Sequence, residues 1–323
     1  MSKHVVWNFA MFALCAGACA AAGSNYPNRP IRMVVPFPTA SPSDIIGRLL
    51  SQRLGEALGQ SIVIDNKPGA GGVVGAETVA KATPDGYTLL MGGTGALAII
   101  PGLNSKLSYD PMRDFAPISL VASVPFMIVV SNSVPASSIK ELIAIARAKP
   151  KQMNFASSGL ASTPHLAAAL FMNLTGTDFV HVPYTGSAPA LTDLYSGQVH
   201  MMITGVTALL SSVKANKIKG LAVASTSRSA LMPDVPTVIE AGVPGYTASV
   251  WTGVEAPRRT SPETVARLNR EIVKILSTPA MKESLLGLGA DPVGNQPAEF
   301  AAYMREELAK WTKVIKALGI KEE

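Results

Sequence analysis

The chain has 323 residues, of which 48% are apolar and 15% are charged, and its net charge is +6. This length is enough for two domains of ordinary size, each with its own core. The positive charge is spread thinly, without a basic stripe that carries interleaved aromatic residues. The composition therefore argues against a nucleic acid partner and favours the attraction of small anions.

Residues 1–22 differ from the rest of the chain. Lys3 and His4 precede an apolar run at residues 5–18, and the small residues that follow resemble a signal-peptidase site. This run is too short to span a bilayer, so we predict a cleaved signal peptide and export. An uncleaved anchor and a lipoprotein modified at Cys19 remain as alternatives.

The first folded residues predict a strand, a turn and a helix. Ile31, Met33, Val34 and Val35 are apolar and predict a short buried strand, which the following prolines end. A turn of small residues comes next: Pro38, Thr39, Ala40 and Ser41. Apolar positions then recur at helical spacing up to Leu58, and we expect Ser43 or Asp44 to cap this helix.

The same alternation continues up to residue 95. Strands are predicted at residues 61–65 and 87–91, with a helix at residues 73–82 between them. Short connections rich in glycine and proline favour right-handed βαβ units and a parallel sheet. The glycine cluster at residues 69–75 matches neither G-x-G-x-x-G nor a phosphate-binding loop, so a nucleotide site is not indicated.

The almost continuously apolar residues 118–130 predict an extended crossing into a second domain. A second α/β pattern follows, and residues 250–254 predict a strand that returns to the first domain. Three helices close the chain, at residues 261–276, 280–288 and 297–318. We therefore predict an α/β fold in which domain 1 comprises residues 23–125 and 248–323, and domain 2 comprises residues 126–247.

Small polar residues follow the strand ends in both predicted domains, and a helix starts directly after them. In an open parallel sheet, ligands bind beyond the carboxyl ends of the strands. The first turn of a helix has unpaired N–H groups and a partial positive charge, which together hold an anion without a basic side chain. The pattern predicts a small carboxylate that is enclosed between the two domains.

Several stretches resemble the Bug family, the TctC-like periplasmic solute receptors of tripartite tricarboxylate transporters. They include YPNRPIRMVVPFP (26–38), NFASSGLASTPHLAAALF (154–171), HVPYTGSAPALTDLYSGQV (181–199) and WTGVEAP (251–257). The resemblance covers essentially the whole mature chain. It implies a type II periplasmic-binding-protein fold, a non-enzymatic and monomeric receptor, and delivery of a carboxylate to membrane transporter subunits or to a sensor kinase.

The resemblance also implies which turns contact the ligand. Those residues are Pro38, Thr39, Ala40, Ser41, Gly93, Thr94, Ser157, Ser158, Gly159, Ser162, His165, Tyr184, Thr185, Gly186 and Thr204. The family usually has Pro-Gly-Gly at residues 39–41, often a basic residue at Thr185, and an Asp at Thr204. These departures argue against a ligand with a free ammonium group. They favour a neutral or aromatic monocarboxylate, or a dicarboxylate held by backbone groups.

Individual residues leave alternatives open. His165 is a ligand contact, a general base or a hydrogen-bonded structural histidine, and Tyr184 lines the cleft or packs at the hinge. Ser158 and His165, with Asp193, suggest a secreted serine hydrolase as the rival function, although no G-x-S-x-G elbow surrounds the serine. Both cysteines lie in the signal segment, and His165 and His181 have no carboxylate cluster near them in sequence. We therefore expect neither a metal nor a cofactor.

Overall fold

The computed structural model describes residues 26–39, 41–104 and 106–319. The predicted signal peptide, both cysteines and Ala40 lie outside these residues. Of the helices in the described ranges, none is both long and apolar enough to cross a membrane.

Strands and helices alternate along most of the chain. The first third contains β1 (Ile31–Val35), α1 (Pro42–Leu58), β2 (Ile62–Asn66), α2 (Val73–Ala80), β3 (Thr88–Gly93), α3 (Ile100–Leu103) and β4 (Phe115–Ser131). The middle contains α4 (Ile139–Ala148), β5 (Asn154–Ser157), α5 (Thr163–Thr175), β6 (Val180–Pro183), α6 (Ser187–Ser196), β7 (Met201–Gly205), α7 (Val206–Lys214) and β8 (Ile218–Val223). The last part contains β9 (Ser249–Pro257), α8 (Pro262–Ser277), α9 (Pro279–Gly287), β10 (Asp291–Pro292) and α10 (Pro297–Leu318).

The strands form one mixed sheet in the order β2-β1-β3-β9-β4-β7-β5-β6, and β8 and β10 also pair with β4. The predicted parallel pairing is confirmed on both sides of the molecule, since β1 is parallel to β2 and β3, and β5 is parallel to β6 and β7. The two central strands, β4 and β9, run antiparallel to their neighbours. The molecule therefore has two parallel parts joined by an antiparallel centre.

The long strand β4 belongs to both parts. Residues 115–125 pair with β9, whereas residues 126–131 pair with β7 and β8. The Phe126 N–H donates to the Ala248 carbonyl oxygen at 2.9 Å, so the two chain crossings lie side by side. We call residues 26–125 and 248–319 lobe 1, and residues 126–247 lobe 2. The change of pairing partners supports the predicted domain boundaries, which stay a prediction.

Helices cover both faces of the sheet. On one face of lobe 1, buried apolar residues of α1, α8 and α9 pack on β1, β3 and β9. On the opposite face, α2 and α10 share one continuous apolar core with α4 and α5 of lobe 2. The remaining face of lobe 2 is covered by α6 and α7. This layering leaves the carboxyl ends of the parallel strands free to form a site.

One predicted detail of lobe 1 is wrong, and one helical region of lobe 1 is absent from the prediction. Helix α1 is capped by Ser41, not by Ser43 or Asp44, because Pro42 occupies its first helical position and the Asp44 N–H donates to the Ser41 hydroxyl. Proline suits that position, since the first helical N–H has no partner inside the helix. A π-helical turn at Gly95–Ile99 leads into α3, a region without a predicted helix.

Candidate ligand-binding cleft

A cavity of about 380 Å³ lies between the two lobes, within the usual size range of small-molecule sites. Its lobe 1 wall consists of Pro42, Ile45, Ile46, Val124, Val250 and Leu288. Its lobe 2 wall consists of Phe126, Ser158, Thr163, Pro164, Ser187, Thr204, Gly205, Thr207 and Ala208. None of these side chains is ionisable, so no charged side chain of the lining pairs with a charged ligand.

Four helices begin at this cavity. Pro42 starts α1, Thr163 starts α5 and Ser187 starts α6, and Thr207 is the second residue of α7. Each helix has at least nine residues, so each N-terminus presents unpaired N–H groups and a partial positive charge. The cleft is therefore electropositive without a basic side chain.

The turn between β1 and α1 is anchored by ionic and amide groups. Asp44, which is buried, accepts from Asn66 Nδ2 at 2.9 Å and forms an ion pair with Arg48 at 3.0 Å. Asn66 Nδ2 also donates to the Phe37 carbonyl oxygen at 3.0 Å. Asp44 therefore lies in the first turn of α1 and holds the turn to β2, which differs from the capping role predicted for it.

The turn between β5 and α5 is anchored by hydroxyl groups. The Gly159 carbonyl oxygen accepts from the Ser162 hydroxyl at 2.7 Å and from the Ser157 hydroxyl at 3.0 Å. Gly159 has φ +127°, a conformation that disfavours other residues, and its N–H donates to Ser157 Oγ at 3.2 Å. These bonds fix the turn, and Ser158 is its residue on the cavity wall.

Two histidines lie beneath this second turn. The rings of His165 and His181 stack with their centroids 4.0 Å apart and 4° between their planes. His165 Nδ1 accepts from the Ala161 N–H at 3.1 Å, and His181 Nε2 is 2.7 Å from the Ser157 hydroxyl oxygen. Burial and the neighbouring His181 lower the pKa of His165 to about 4, and burial lowers the pKa of His181. The stacked pair is therefore neutral near pH 7.

The third turn, between β6 and α6, packs against its own helix. The Tyr184 hydroxyl donates to Asp193 at 2.6 Å, and burial and this carboxylate raise the pKa of Tyr184 to about 12. Asp193 therefore pairs with Tyr184 and not with His165. Thr185 is exposed, and Gly186 precedes Ser187, which lines the cavity.

The end of β3 lies deeper than the other turns. Thr94 is buried, and its hydroxyl accepts from the Trp251 N–H at 2.8 Å. A Cβ atom at Gly93 would lie 2.7 Å from the Trp251 carbonyl oxygen, so only glycine fits there. This turn joins β3 to β9 and does not reach the described cavity wall.

The structure thus brings two of the predicted contact residues, Ser158 and Thr204, to the cavity. Ser41, Ser157, Ser162 and Gly186 each directly precede a residue of its wall. The remaining described ones lie in the surrounding turns: Pro38, Thr39, Gly93, Thr94, Gly159, His165, Tyr184 and Thr185. Sequence reasoning missed the apolar wall and also Thr207, which the rule of small polar residues at a strand-to-helix turn could have found.

The predicted hydrolase pair of Ser158 and His165 is not formed. Among the described residues, His165 Nδ1 bonds to Ala161 and its ring stacks on His181, whereas the serine that pairs with a histidine is Ser157. Ser157 has no exposed surface, so a substrate cannot reach its hydroxyl. Within the described ranges, Ser158 and His165 therefore do not form the nucleophile and base of a hydrolase.

Two α/β lobes that share long central strands and enclose a cleft lined by helix N-termini define a two-domain solute-binding protein. Residues 46–320 match the model of the tripartite tricarboxylate transporter family receptor, TctC. This chain belongs to that family.

The relatives agree with this assignment. Protein BugT of Bordetella pertussis is 37% identical over 96% of both chains. The structure of Rpa4515 from R. palustris with adipate is 39% identical with a TM-score of 0.74, and covers 92% of this chain and 99% of its own. MatC from Rhodopseudomonas palustris with bound malate is 33% identical with a TM-score of 0.70, and covers 90% of this chain and 100% of its own.

Proposed function

We propose that the protein is a periplasmic, non-enzymatic receptor that closes on a small carboxylate between its lobes and delivers it to tripartite tricarboxylate-type transporter subunits. The observation that carries this proposal is the convergence of four helix N-termini, from both lobes, on one cavity. Such N-termini bind carboxylates through backbone N–H groups. Two related structures carry carboxylates, adipate and malate.

Closure of the lobes is the signal to the membrane partner. A ligand that contacts both lobes binds the closed state more tightly than the open state and shifts the population towards it. The adjacent crossings at Phe126 and Ala248, where the chain passes from one lobe to the other, supply the hinge. The same closure serves a sensor kinase equally well, and a membrane pull-down with the transporter subunits distinguishes the two partners.

Thermal stabilisation by adipate and malate tests carboxylate binding, since a ligand that binds only the folded state raises its stability. The informative variant is Ser187→Asp, because Asp suits the first turn of a helix while its charge repels an anion in the cleft. We expect it to fold normally and to weaken binding at least tenfold, by about 1.4 kcal/mol or more.

The matched control is Ser261→Asp, which places the same charge at the exposed start of α8, away from the cavity. It should bind the same ligand as tightly as the wild type does. Loss of binding in both variants, or conversion of the ligand to a product by the wild type, contradicts the proposal.

A further inference from the structure

We infer that the ligand is an amphipathic organic acid, whose carboxylate is held by lobe 2 and whose apolar body packs on lobe 1. This inference rests on the proposed carboxylate receptor and names its ligand class. It follows because hydroxyl groups and apolar side chains are distributed unequally between the two walls of the cleft.

Every hydroxyl of the cavity wall comes from lobe 2. The residues that carry them are Ser158, Thr163, Ser187, Thr204 and Thr207. Three of the four helix N-termini, those of α5, α6 and α7, lie on the same side. Hydroxyl and backbone N–H donors directed at one region satisfy a buried carboxylate, whose burial without such partners is strongly unfavourable.

The lobe 1 wall has no polar side chain. Its members are proline, isoleucine, valine and leucine residues, and two of them remain well exposed in the cleft, Ile45 at 40% and Val250 at 39%. An apolar ligand body that covers these two side chains removes apolar surface from water, which is favourable. A hydroxyl-rich or doubly charged small acid finds no hydrogen-bond partner among the side chains of this wall. The second polar group of such an acid would therefore lose its water there without gaining a partner.

The size of the cavity fits such a ligand. Its volume of about 380 Å³ exceeds what a two- or three-carbon acid needs and suits a body of five or more carbons. A longer body extends from the lobe 2 donors to the exposed Ile45 and Val250. Contact with both lobes is also what closure of the cleft requires.

Straight-chain monocarboxylates from butanoate to octanoate, compared with malate, test the inference by isothermal titration calorimetry. Each additional buried methylene should strengthen binding about fourfold until the wall is covered. Malate should bind more weakly than octanoate.

The variant Val250→Thr makes the wall polar at constant shape, and threonine suits a strand. It should weaken octanoate binding about fivefold, since a buried hydroxyl lacks a partner there, and should leave malate binding unchanged. The matched control is Val63→Thr on strand β2, where the valine is 54% exposed and lies outside the cavity wall, and it should change neither affinity.

The outcomes distinguish failure of the inferred ligand class from failure of the proposed carboxylate receptor. If malate binds more tightly than the longer acids, or if affinity is independent of chain length, the ligand class is wrong and the carboxylate receptor stands. If Val250→Thr leaves octanoate affinity unchanged, the apolar wall does not contact the ligand and the inference fails. If neither the monocarboxylates nor malate bind, the receptor proposal fails and the inference fails with it.

Discussion

The two turns that lead into α1 and α5 start their helices in the same way and are anchored in opposite ways. In each, a serine caps the helix, and its hydroxyl oxygen accepts from the N–H of the third helical residue. Asp44 donates to Ser41 in lobe 1, and His165 donates to Ser162 in lobe 2. The third residue is buried in both. In lobe 1 it is a carboxylate with an ion pair, and in lobe 2 it is a neutral imidazole in a stack.

This difference shows that the local helix start and its anchor are separate features. A carboxylate at the third position is favoured by the helix dipole and finds amide and guanidinium partners in this fold. A positive charge there would oppose the dipole, and the histidine stays neutral because it is buried and lies against His181. The lobe 1 helix therefore has an ion-paired carboxylate in its first turn, and the lobe 2 helix has a neutral ring whose protonation makes the turn sensitive to acid.

Removal of the lobe 1 anchor should have the largest effect. Asp44→Ala eliminates a buried carboxylate and leaves Asn66 Nδ2 without one of its two acceptors. We expect the free energy of unfolding to fall by about 3 kcal/mol, since hydrogen bonds to charged groups are the strongest in proteins. Urea denaturation followed by circular dichroism measures this change.

A suitable control is Asp65→Ala, which removes the ion pair with Arg32, a pair whose two side chains are partly exposed. Such pairs contribute less than about 1 kcal/mol. If the two variants lose equal stability, Asp44 is not the anchor of the lobe 1 turn.

The lobe 2 turn should instead lose stability in acid. The pKa of His165 is about 4 in the folded protein and 6.5 without its surroundings, so the unfolded chain binds more protons between these values. The free energy of unfolding therefore falls as the pH drops from 6.5 to 4, and the contribution is fully present above pH 6.5. His165→Asn keeps an acceptor for the Ala161 N–H and cannot be protonated.

We expect the wild type to lose about 2 kcal/mol more than His165→Asn between pH 6.5 and pH 4. Chemical denaturation at a series of pH values gives both curves. At pH 8 neither side chain is charged, so the difference in the free energy of unfolding between the wild type and the variant reports packing alone. Parallel curves for the two proteins would show that the stack does not govern the acid response.

The sequence predicted the helix starts better than the anchors beneath them. The apolar residues of β1 predict that strand, and the small residues that follow it are predicted as a turn before a helix. The predicted cap of α1, Ser43 or Asp44, lies two or three residues beyond the observed cap, Ser41, and all three are residue types that cap helices. Periodicity gives the helix, but only the geometry of the turn decides which of several polar residues caps it.

The cavity wall was the least predictable part. Val250 and Leu288 lie more than 120 residues along the chain from the wall residues of β4, Val124 and Phe126, and no local pattern marks them. Their role depends on how β9 and the end of α9 are placed beside β4. Apolar residues in such positions are indistinguishable from core residues until the fold brings them to a cleft.

Removal of the two serine caps, Ser41 and Ser162, should have the smallest effect on stability. Ser41→Ala removes one hydrogen bond, from the Asp44 N–H, whereas Ser162→Ala removes two, from the His165 N–H and to the Gly159 carbonyl oxygen. Loss of a serine cap lowers the free energy of unfolding by about 1 kcal/mol. The Ser162 variant should lose about 0.5 to 1 kcal/mol more, because the Gly159 carbonyl loses the bond from the Ser162 hydroxyl and keeps those from the Ser157 hydroxyl and the residue 162 N–H. Equal losses, measured by denaturation at pH 8, would mean that the bond from the Ser162 hydroxyl to Gly159 does not stabilise the lobe 2 turn.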